Sequence, residues 1–478
     1  MISEFPEIQK KMQGKVFEIL REAADSLGVE AYVIGGYVRD IFLRRESKDI
    51  DVVCTGSGIA LAEAVRKALG RNAKLSVFKN FGTAHIDCRD LEIEFVGARK
   101  ESYSRNSRNP IVEDGTLEDD LCRRDFTINT LAVRLNSDGF GSLTDRFGAL
   151  DDLQTLTIRT PLDPDITFCD DPLRMFRAIR FASQLGFFIE SGTFEAIERN
   201  VARAGIVSME RITEELNKIV TSPRPSVGFE LLEQTGLLDV VLPELTALKG
   251  VENREGIGHK DNFSHSLKVL DNLALVSNDL RLRWAALLHD VGKPGSKRFD
   301  PKFGWTFHSH EYIGMKMLRG IFTRLKLPLG DNLKYTEMLI GLHMRPISLS
   351  DEGVTDSAVR RLLFEAGDGI DDLMLLCEAD ITSKNSEKVK RFLHNFGVVR
   401  TKLKEIEEKD RLRNFRPPVD GLEIMEMFSL PPGRIVGELK TAVKDAVLDG
   451  LIPNEYEAAR GFLIKLAEEK GLTKTKNS

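Results

Sequence analysis

Apolar and polar positions along the chain follow two different periods. Residues 5–28 read as an amphipathic helix, and residues 31–135 alternate short β-rich runs (AYVIGG, DIDVVC, AHIDC, LEIEFVGA) with helical stretches such as ALAEAVRKALG, which predicts a mixed α/β head. From about 151 to 250, and again from 263 onward, the apolar spacing is helical almost throughout. Proline and glycine cluster near 221–228, 243–258 and 415–419, so the pattern predicts a head (1–150), a helical neck (151–250), a central helical domain (251–395) and a helical tail (396–478). Residues 101–118 read as a long polar loop inside the head, of a length often tied to function. No internal repeat or low-complexity segment interrupts this order.

Composition narrows the class. At 478 residues the chain exceeds the ceiling of about 250–300 residues for one core. With 42% hydrophobic and 30% charged residues it has the make-up of a soluble globular protein. No apolar run approaches the roughly 20 residues that span a bilayer, and the N-terminus MISEFPEIQKKMQGK lacks a secretory pattern, so no membrane partner and a cytoplasmic location are expected. Cys54, Cys88, Cys122, Cys169 and Cys377 form no C-x-x-C pair and read as reduced core residues. A net charge of −6 gives no global footprint of a nucleic-acid binder, so any RNA contact must come from local basic patches.

The stretch VIGGYVRDIFLRRESKDIDVV carries the first candidate chemistry. Residues two apart on a strand share a face, so Asp49 and Asp51 present their carboxylates side by side, an arrangement that repels itself without a cation. Oxygen ligands of this kind suit Mg²⁺. The Gly35-Gly36 turn upstream would let a triphosphate approach the backbone. A third carboxylate is expected from LEIEFVG, where Glu92 and Glu94 share a face and spacing does not choose between them.

With GGYVRD and DID followed by RRDFTINTLA (123–132) and DDPLRMFRAIRFA (170–182), the chain resembles the bacterial class of tRNA nucleotidyltransferases and the related poly(A) polymerases, in the polymerase-β nucleotidyltransferase superfamily. The resemblance covers residues 30–245. It implies an α+β chain with a polymerase-β-like head and two-metal transfer of a nucleotide from CTP or ATP to a tRNA 3′ hydroxyl. It also implies that Asp49 and Asp51 hold the metals, with Glu94 at the third acidic position. Gly35, Gly36, Arg39, Arg123, Arg124, Asp125 and Asn129 would bind nucleotide, Asp125 by accepting from a ribose hydroxyl.

In DDPLRMFRAIRF, Arg174, Arg177 and Arg180 recur every three residues and share a helical flank, while Leu173, Phe176, Ile179 and Phe181 can face a core. The family carries E-D-x-x-R here, its aspartate and arginine reading the base edge. Asp171 and Arg174 match those positions, and Asp170 replaces the glutamate.

Six of the eight histidines, His259, His265, His289, His308, His310 and His343, lie between 259 and 343. In WAALLHDVGKPG, His289 and Asp290 end an apolar run, and an imidazole beside a carboxylate suits Zn²⁺, Mn²⁺, Fe²⁺ or Co²⁺. This resembles the HD-domain metal-dependent phosphohydrolases, whose H…HD…D order fits His265, His289, Asp290 and Asp380. The resemblance also points to His310 and His343 for a second metal, with His308 an alternative to His310, and to Ni²⁺ as a further candidate ion. Lys293 is placed to assist phosphate binding. His259 and His394 read as structural. In the tail, Ile435, Leu439, Val443 and Val447 have the spacing of a packed helix.

The reading that follows is an enzyme adding CCA to tRNA without a nucleic-acid template, fused to an HD phosphohydrolase. CC-only, A-only or poly(A) addition keeps the same chemistry, and a phosphohydrolase with an RNA-binding head is the alternative of another class. The sequence leaves the oligomeric state open.

Overall fold

The computed structural model describes residues 5–70, 73–79, 82–88, 91–102, 111–254, 257–258, 261–352, 355–383, 385–410 and 418–472. The chain forms two compact units, residues 1–241 and 242–478.

The first unit is built on a mixed seven-stranded sheet. Its strands are β1 (Ala31–Ile34), β2 (Asp49–Cys54), β3 (Ala73–Phe78), β4 (Thr83–Cys88) and β5 (Leu91–Gly97), then, after a separate ribbon of β6 (Arg99–Ser102) and β7 (Ile111–Asp114), β8 (Ala132–Arg134) and β9 (Leu143–Thr144). The order across the sheet is β3-β4-β5-β2-β1-β8-β9. Only β2 and β5 run parallel among these pairings. Alternation buries Ile50 and Val52 on one face of β2 and Ile93 and Phe95 on one face of β5, leaving Asp49, Asp51 and Glu94 to the other. The helix Gly58–Leu69 packs across β3, β4 and β5 through Leu61, Ala62 and Val65.

Behind the sheet the unit is helical. Leu173–Leu185 buries Met175, Phe176, Ala178, Ile179 and Ala182 against the helices Met209–Val220 and Pro225–Gln234. Burying a phenylalanine or isoleucine of this kind contributes about 1.5–3 kcal/mol each.

The second unit is helical apart from short two-stranded ribbons. Its best-buried element is Leu280–Leu288, in which every residue from Leu282 on is buried. A helix apolar all round belongs in a core. Arg283 is accommodated there because its guanidinium donates to the carbonyls of Ser277 and Ala274 and to Asn278 Oδ1 at 2.8–3.1 Å. Asn262–Ala274, Asp331–Leu342 and Ile370–Ala379 pack around it. Beyond them, Val419, Ile424, Leu439, Val443 and Leu463 belong to a separate small core of the last three helices.

Several expectations change. The helix expected over 5–28 is two, Pro6–Lys11 and Lys15–Leu27, because Gly14 takes extended backbone between them. The polar loop expected over 101–118 contains part of the β6–β7 ribbon and the start of the helix Leu117–Cys122, while residues 103–110 lie outside the described residues. Cysteines are free, but only Cys54 and Cys377 are buried and Cys169 is exposed. In the tail helix Arg434–Leu448, Val436 is buried in place of Ile435, which is 47% exposed. The 25-residue helix Ser386–Asp410 runs through position 396, where the tail was expected to begin. No helix among the described residues is long and apolar enough to cross a membrane.

Candidate active sites

In the first unit the parallel pairing of β2 and β5 sets Asp51 opposite Glu94 and Asp49 opposite Glu92. Glu94 and Asp51 line a cavity of about 330 Å³; Glu92 points to the surface, 3.5 Å from His85 Nε2. The register thus separates two glutamates that spacing alone could not. Burial raises the Asp51 carboxyl above its usual range; Arg124 opposes this, and the neighbouring charges of Glu94 and Asp49 add to it.

Gly35 follows β1 with φ 78°, and a Cβ there would lie 2.9 Å from Asp51 Oδ2 and 3.1 Å from Arg124 Nη1. Its lack of a side chain makes room for these two groups. Arg123 and Arg124, also on the cavity wall, are anchored by the fully buried Asp120: Arg123 Nε donates to Oδ1 at 2.9 Å and Arg124 Nε to Oδ2 at 3.2 Å. Arg177 pairs with Asp125 at 2.6 Å. Burial alone would push the Asp125 carboxyl up, but Arg177 and the amide of Asn129 hold it well below its ordinary range.

Two expected nucleotide contacts stand behind the wall. Arg39 Nη1 donates to Asn129 Oδ1 at 2.9 Å, and Asn129 Nδ2 donates to Asp125 Oδ1 at 3.0 Å, so both residues buttress Asp125. Gly36 opens the helix Gly36–Phe42 and is likewise not on the wall. Arg180 lies on the buried flank, 2.5 Å from Glu215, and is not on the cavity wall with Arg174 and Arg177, although it shares the Phe181 ring with Arg177. Arg174 does reach the cavity, with its guanidinium donating to the carbonyls of Arg123 and Thr167. Asp171 accepts from Leu173 N at 3.2 Å and from Arg211 Nη2 at 2.9 Å.

Sequence reasoning missed Asp120, Arg211 and Glu215. The first could be sought from its i,i+3 and i,i+4 spacing to Arg123 and Arg124, and the other two from their i,i+4 spacing on one helix.

The second unit gathers His265, His289, Asp290, His310, His343 and Asp380 around one point. His265 Nε2 lies 2.9 Å from Asp380 Oδ1, His289 Nε2 3.3 Å from Asp290 Oδ2, His310 Nε2 3.4 Å from Asp290 Oδ1, and His310 Nε2 3.3 Å from His343 Nε2. Nδ1 of His289, His310 and His343 meets the carbonyls of Ala286, Phe307 and Ile340 at 2.7–2.8 Å. A carbonyl only accepts, so each Nδ1 carries a proton, and whenever a ring is neutral its Nε2 lone pair points inward. Converging lone pairs and carboxylates are what a cation relieves. Two overlapping triplets, His265-His289-Asp290 and Asp290-His310-His343, each bring their ligand atoms within 4.8 Å of one another.

Electrostatics in this cluster divide accordingly. Burial favours a neutral His289, but Asp290 outweighs it and raises the imidazole, while burial and His289 push His343 down to about 4. Asp380, despite its burial, is held at about 2 by His265 and His289. Gly292 brings the helix His310–Arg324 close, since a Cβ on it would meet the His310 carbonyl oxygen at 2.0 Å. Lys293 does not face open space: its ammonium donates to Asp290 Oδ2 at 2.6 Å. His308 and His394 are exposed and outside the cluster, so His394 is not the buried structural residue expected; His259 lies outside the described residues.

Comparison with known proteins decides what these two sites belong to. Residues 31–159 match the poly A polymerase head domain, residues 186–249 the "Probable RNA and SrmB- binding site of polymerase A", and residues 262–385 the HD domain. The A-adding tRNA nucleotidyltransferase of Deinococcus radiodurans is 35% identical over 92% of this chain and 96% of its own length. The chain belongs to the tRNA nucleotidyltransferases. The CC-adding tRNA nucleotidyltransferase of Thermus thermophilus is 30% identical over 91% of this chain and 93% of its own. Among solved structures, the Bacillus stearothermophilus CCA-adding enzyme in complex with CTP shares the fold with a TM-score of 0.67 and 23% identity, over 98% of this chain and 99% of that one. In this tRNA nucleotidyltransferase the head match contains the Asp51–Glu94 cavity wall, and the HD match contains all six residues of the histidine cluster.

Proposed function

We propose that the chain adds nucleotides to the 3′ end of tRNA in its first unit, with CTP or ATP as donor, and hydrolyses phosphate ends or cyclic phosphates of RNA in its second. The observation that carries the first activity is the Asp51–Glu94 register pair, opening onto a cavity whose other walls are Arg123, Arg124, Asp171 and Arg174. The division of labour runs over a head (1–150), neck (151–250), HD domain (251–395) and tail (396–478), the last boundary falling inside the helix Ser386–Asp410, and the location is cytoplasmic.

In the head, Asp51 and Glu94 on the cavity wall, with the more exposed Asp49 two residues away on the same face, would offer the all-oxygen ligands that suit Mg²⁺. Divalent ions there supply charge neutralisation and a more acidic attacking hydroxyl. The RNA 3′ oxygen bonds to the α-phosphorus as the bond to pyrophosphate breaks. Arg123 and Arg124, oriented by Asp120, meet the phosphate charge. Asp125, fixed by Arg177 and Asn129 and buttressed by Arg39, accepts from a ribose hydroxyl. Asp171 and Arg174, held by Arg211 and by two backbone carbonyls, present a fixed edge to the base. Selection then needs no nucleic-acid template.

The mixed nitrogen and oxygen donors of the second unit fit Mn²⁺, Ni²⁺, Co²⁺, Zn²⁺ or Fe²⁺, which there supply an activated water. His265, His289, Asp290 and Asp380 hold one ion, with His310 and His343 available for a second.

Full CCA addition is the primary reading. Addition of the terminal A alone is the second, favoured by the end-to-end identity with an A-adding relative. Incubating the protein with tRNA ending before the tail, after C and after CC, with CTP and ATP supplied separately, and sequencing the 3′ ends separates them. No extension of any of these substrates overturns both.

A further inference from the structure

Phe181, in the helix Leu173–Leu185, is buried and does not line the cavity of the first unit. Three guanidinium groups nonetheless gather at its ring: Arg180 at 3.9 Å, Arg39 at 5.2 Å and Arg177 at 5.6 Å from the centroid. The Phe126 ring meets it edge to face at 5.8 Å. Three of these four neighbours lead to one carboxylate. Asp125 Oδ1 accepts from Phe126 N at 2.8 Å and from Asn129 Nδ2 at 3.0 Å, and Asn129 is itself held by Arg39 Nη1 at 2.9 Å. Asp125 Oδ2 accepts from Arg177 Nε at 2.8 Å and lies 2.6 Å from Arg177 Nη2. Each of these donors to Asp125 thus belongs to a residue that sits against the Phe181 ring or is held by one that does.

We propose that Phe181 is a positioning residue for Asp125, so that preference for a ribonucleotide over its 2′-deoxy counterpart depends on a ring behind the cavity wall. The proposal rests on the reading of Asp125 as the acceptor of a ribose hydroxyl and adds the residue that sets its geometry. A carboxylate has about four lone-pair sites, and four N–H groups already meet this one. A ribose hydroxyl is accepted only in exchange for one of them. Arg177 is the arm that can yield, because it stands on the cavity wall and spends two N–H groups on a single oxygen. The other two donors are a backbone N–H and an amide braced by Arg39, both buried. How far Arg177 swings is limited by the aromatic face it lies over, and the same ring backs the Arg39 arm on the other oxygen. Removing the π-face therefore loosens both oxygens of Asp125 at once.

The test is steady-state addition by the full-length chain, with CTP and 2′-deoxy-CTP on tRNA ending before the tail and with ATP and 2′-deoxy-ATP on tRNA ending in CC. Phe181→Leu keeps apolar bulk and removes the π-face. It should cut kcat/KM for the ribonucleotide by about 2- to 30-fold, the span of one lost cation–π contact, and leave that for the deoxynucleotide as in the parent, so that discrimination falls by the same factor. Preference for CTP over UTP and for ATP over GTP should not change, although Arg174 lies on the same helix, and this separates positioning from a general loss of packing. Phe181→Tyr, which keeps the ring, should keep the parent's discrimination. If Phe181→Leu lowers ribo- and deoxynucleotides alike, or blunts base preference together with sugar preference, the ring only fills the core and the proposal is wrong. Should Phe181→Leu melt below the assay temperature, Phe181→Met carries the same comparison. Asp125→Ala tests the reading beneath: if it discriminates as the parent does, Asp125 does not read the sugar and both ideas fail. If Asp125→Ala loses discrimination while Phe181→Leu keeps it, Asp125 stands and the role of Phe181 falls.

Discussion

Asp51 on β2 and Glu94 on β5 are direct neighbours in a parallel strand pair, both facing one cavity. Parallel pairing of two sequence-distant strands brings the carboxylates together, and burial with the charge of Glu94 raises the Asp51 carboxyl against the pull of Arg124 and Arg177. Replacing Asp51 with Asn should therefore abolish nucleotide addition, by at least about 100-fold, and raise the thermal stability of the metal-free chain. Mg²⁺ should stabilise the parent and not the variant. Melting curves with and without Mg²⁺, beside an addition assay, check both; near-native addition would remove Asp51 from the metal set.

Arg174 donates to two backbone carbonyls and lines the cavity beside Asp171. Arg174→Ala should blunt preference for CTP and ATP over UTP and GTP by about tenfold, from a penalty of about 1–3 kcal/mol per unpaired buried group, with tRNA affinity unchanged. Steady-state kinetics with each triphosphate and a tRNA-binding titration check this. Unchanged preference with lost affinity would reassign Arg174 to phosphate contact.

Asp125 is buried but its partner Arg177 is 34% exposed on the cavity wall, so losing the carboxylate charge costs about 1.5–3 kcal/mol, less than in a fully buried pair. Asp125→Asn should be destabilised by that order at neutral pH. Because the folded carboxyl sits below its ordinary value of 3.8, the pair's contribution is complete above that value and is lost as pH falls toward the folded one. The stability gap between parent and variant should thus be constant from pH 5 upward and narrow below about pH 4. Denaturant titrations across this range measure it.

A double replacement of His289 and Asp290 by Ala should strip transition metal from the second unit and leave nucleotide addition intact, as elemental analysis and the addition assay would show. Gly292→Ala should act similarly by a different route. Its Cβ has no room beside the His310 carbonyl, so the His310 helix must shift, at a cost of about 1–3 kcal/mol for overpacking. Metal content should fall although no ligand was changed.

Much of this was legible in the sequence where chemistry follows a local period. Asp49 and Asp51 share a face because strands repeat every two residues, and Leu173, Phe176 and Ile179 are buried as helical spacing requires. What spacing could not supply was long-range register. Glu92 and Glu94 have the same parity, and only the β2–β5 pairing sends one into the cavity and the other to His85. Arg180 has the same spacing as Arg177, yet Glu215 on another helix draws it away. Arg39 and Asn129 stand in stretches that resemble nucleotide-binding motifs, but Arg39 bonds Asn129 and Asn129 bonds Asp125, a supporting role their local sequence does not distinguish from ligand contact.

The helix Ser386–Asp410 bears Lys388, Phe392 and Phe396 on the wall of a cavity of about 210 Å³ that His265 and Asp380 also line and, further along, is pinned by Arg400 to Glu378 and by Lys402 to Asp356, at 2.7 and 2.8 Å. Each residue added to or removed from a helix turns everything beyond it by about 100°. An insertion between Phe396 and Arg400 would swing either the ring or the anchors out of place. This wall therefore tolerates change in its side chains but not in its length, and its divergence among homologous chains should be written in substitutions at 388 and 392 within a helix of fixed phase.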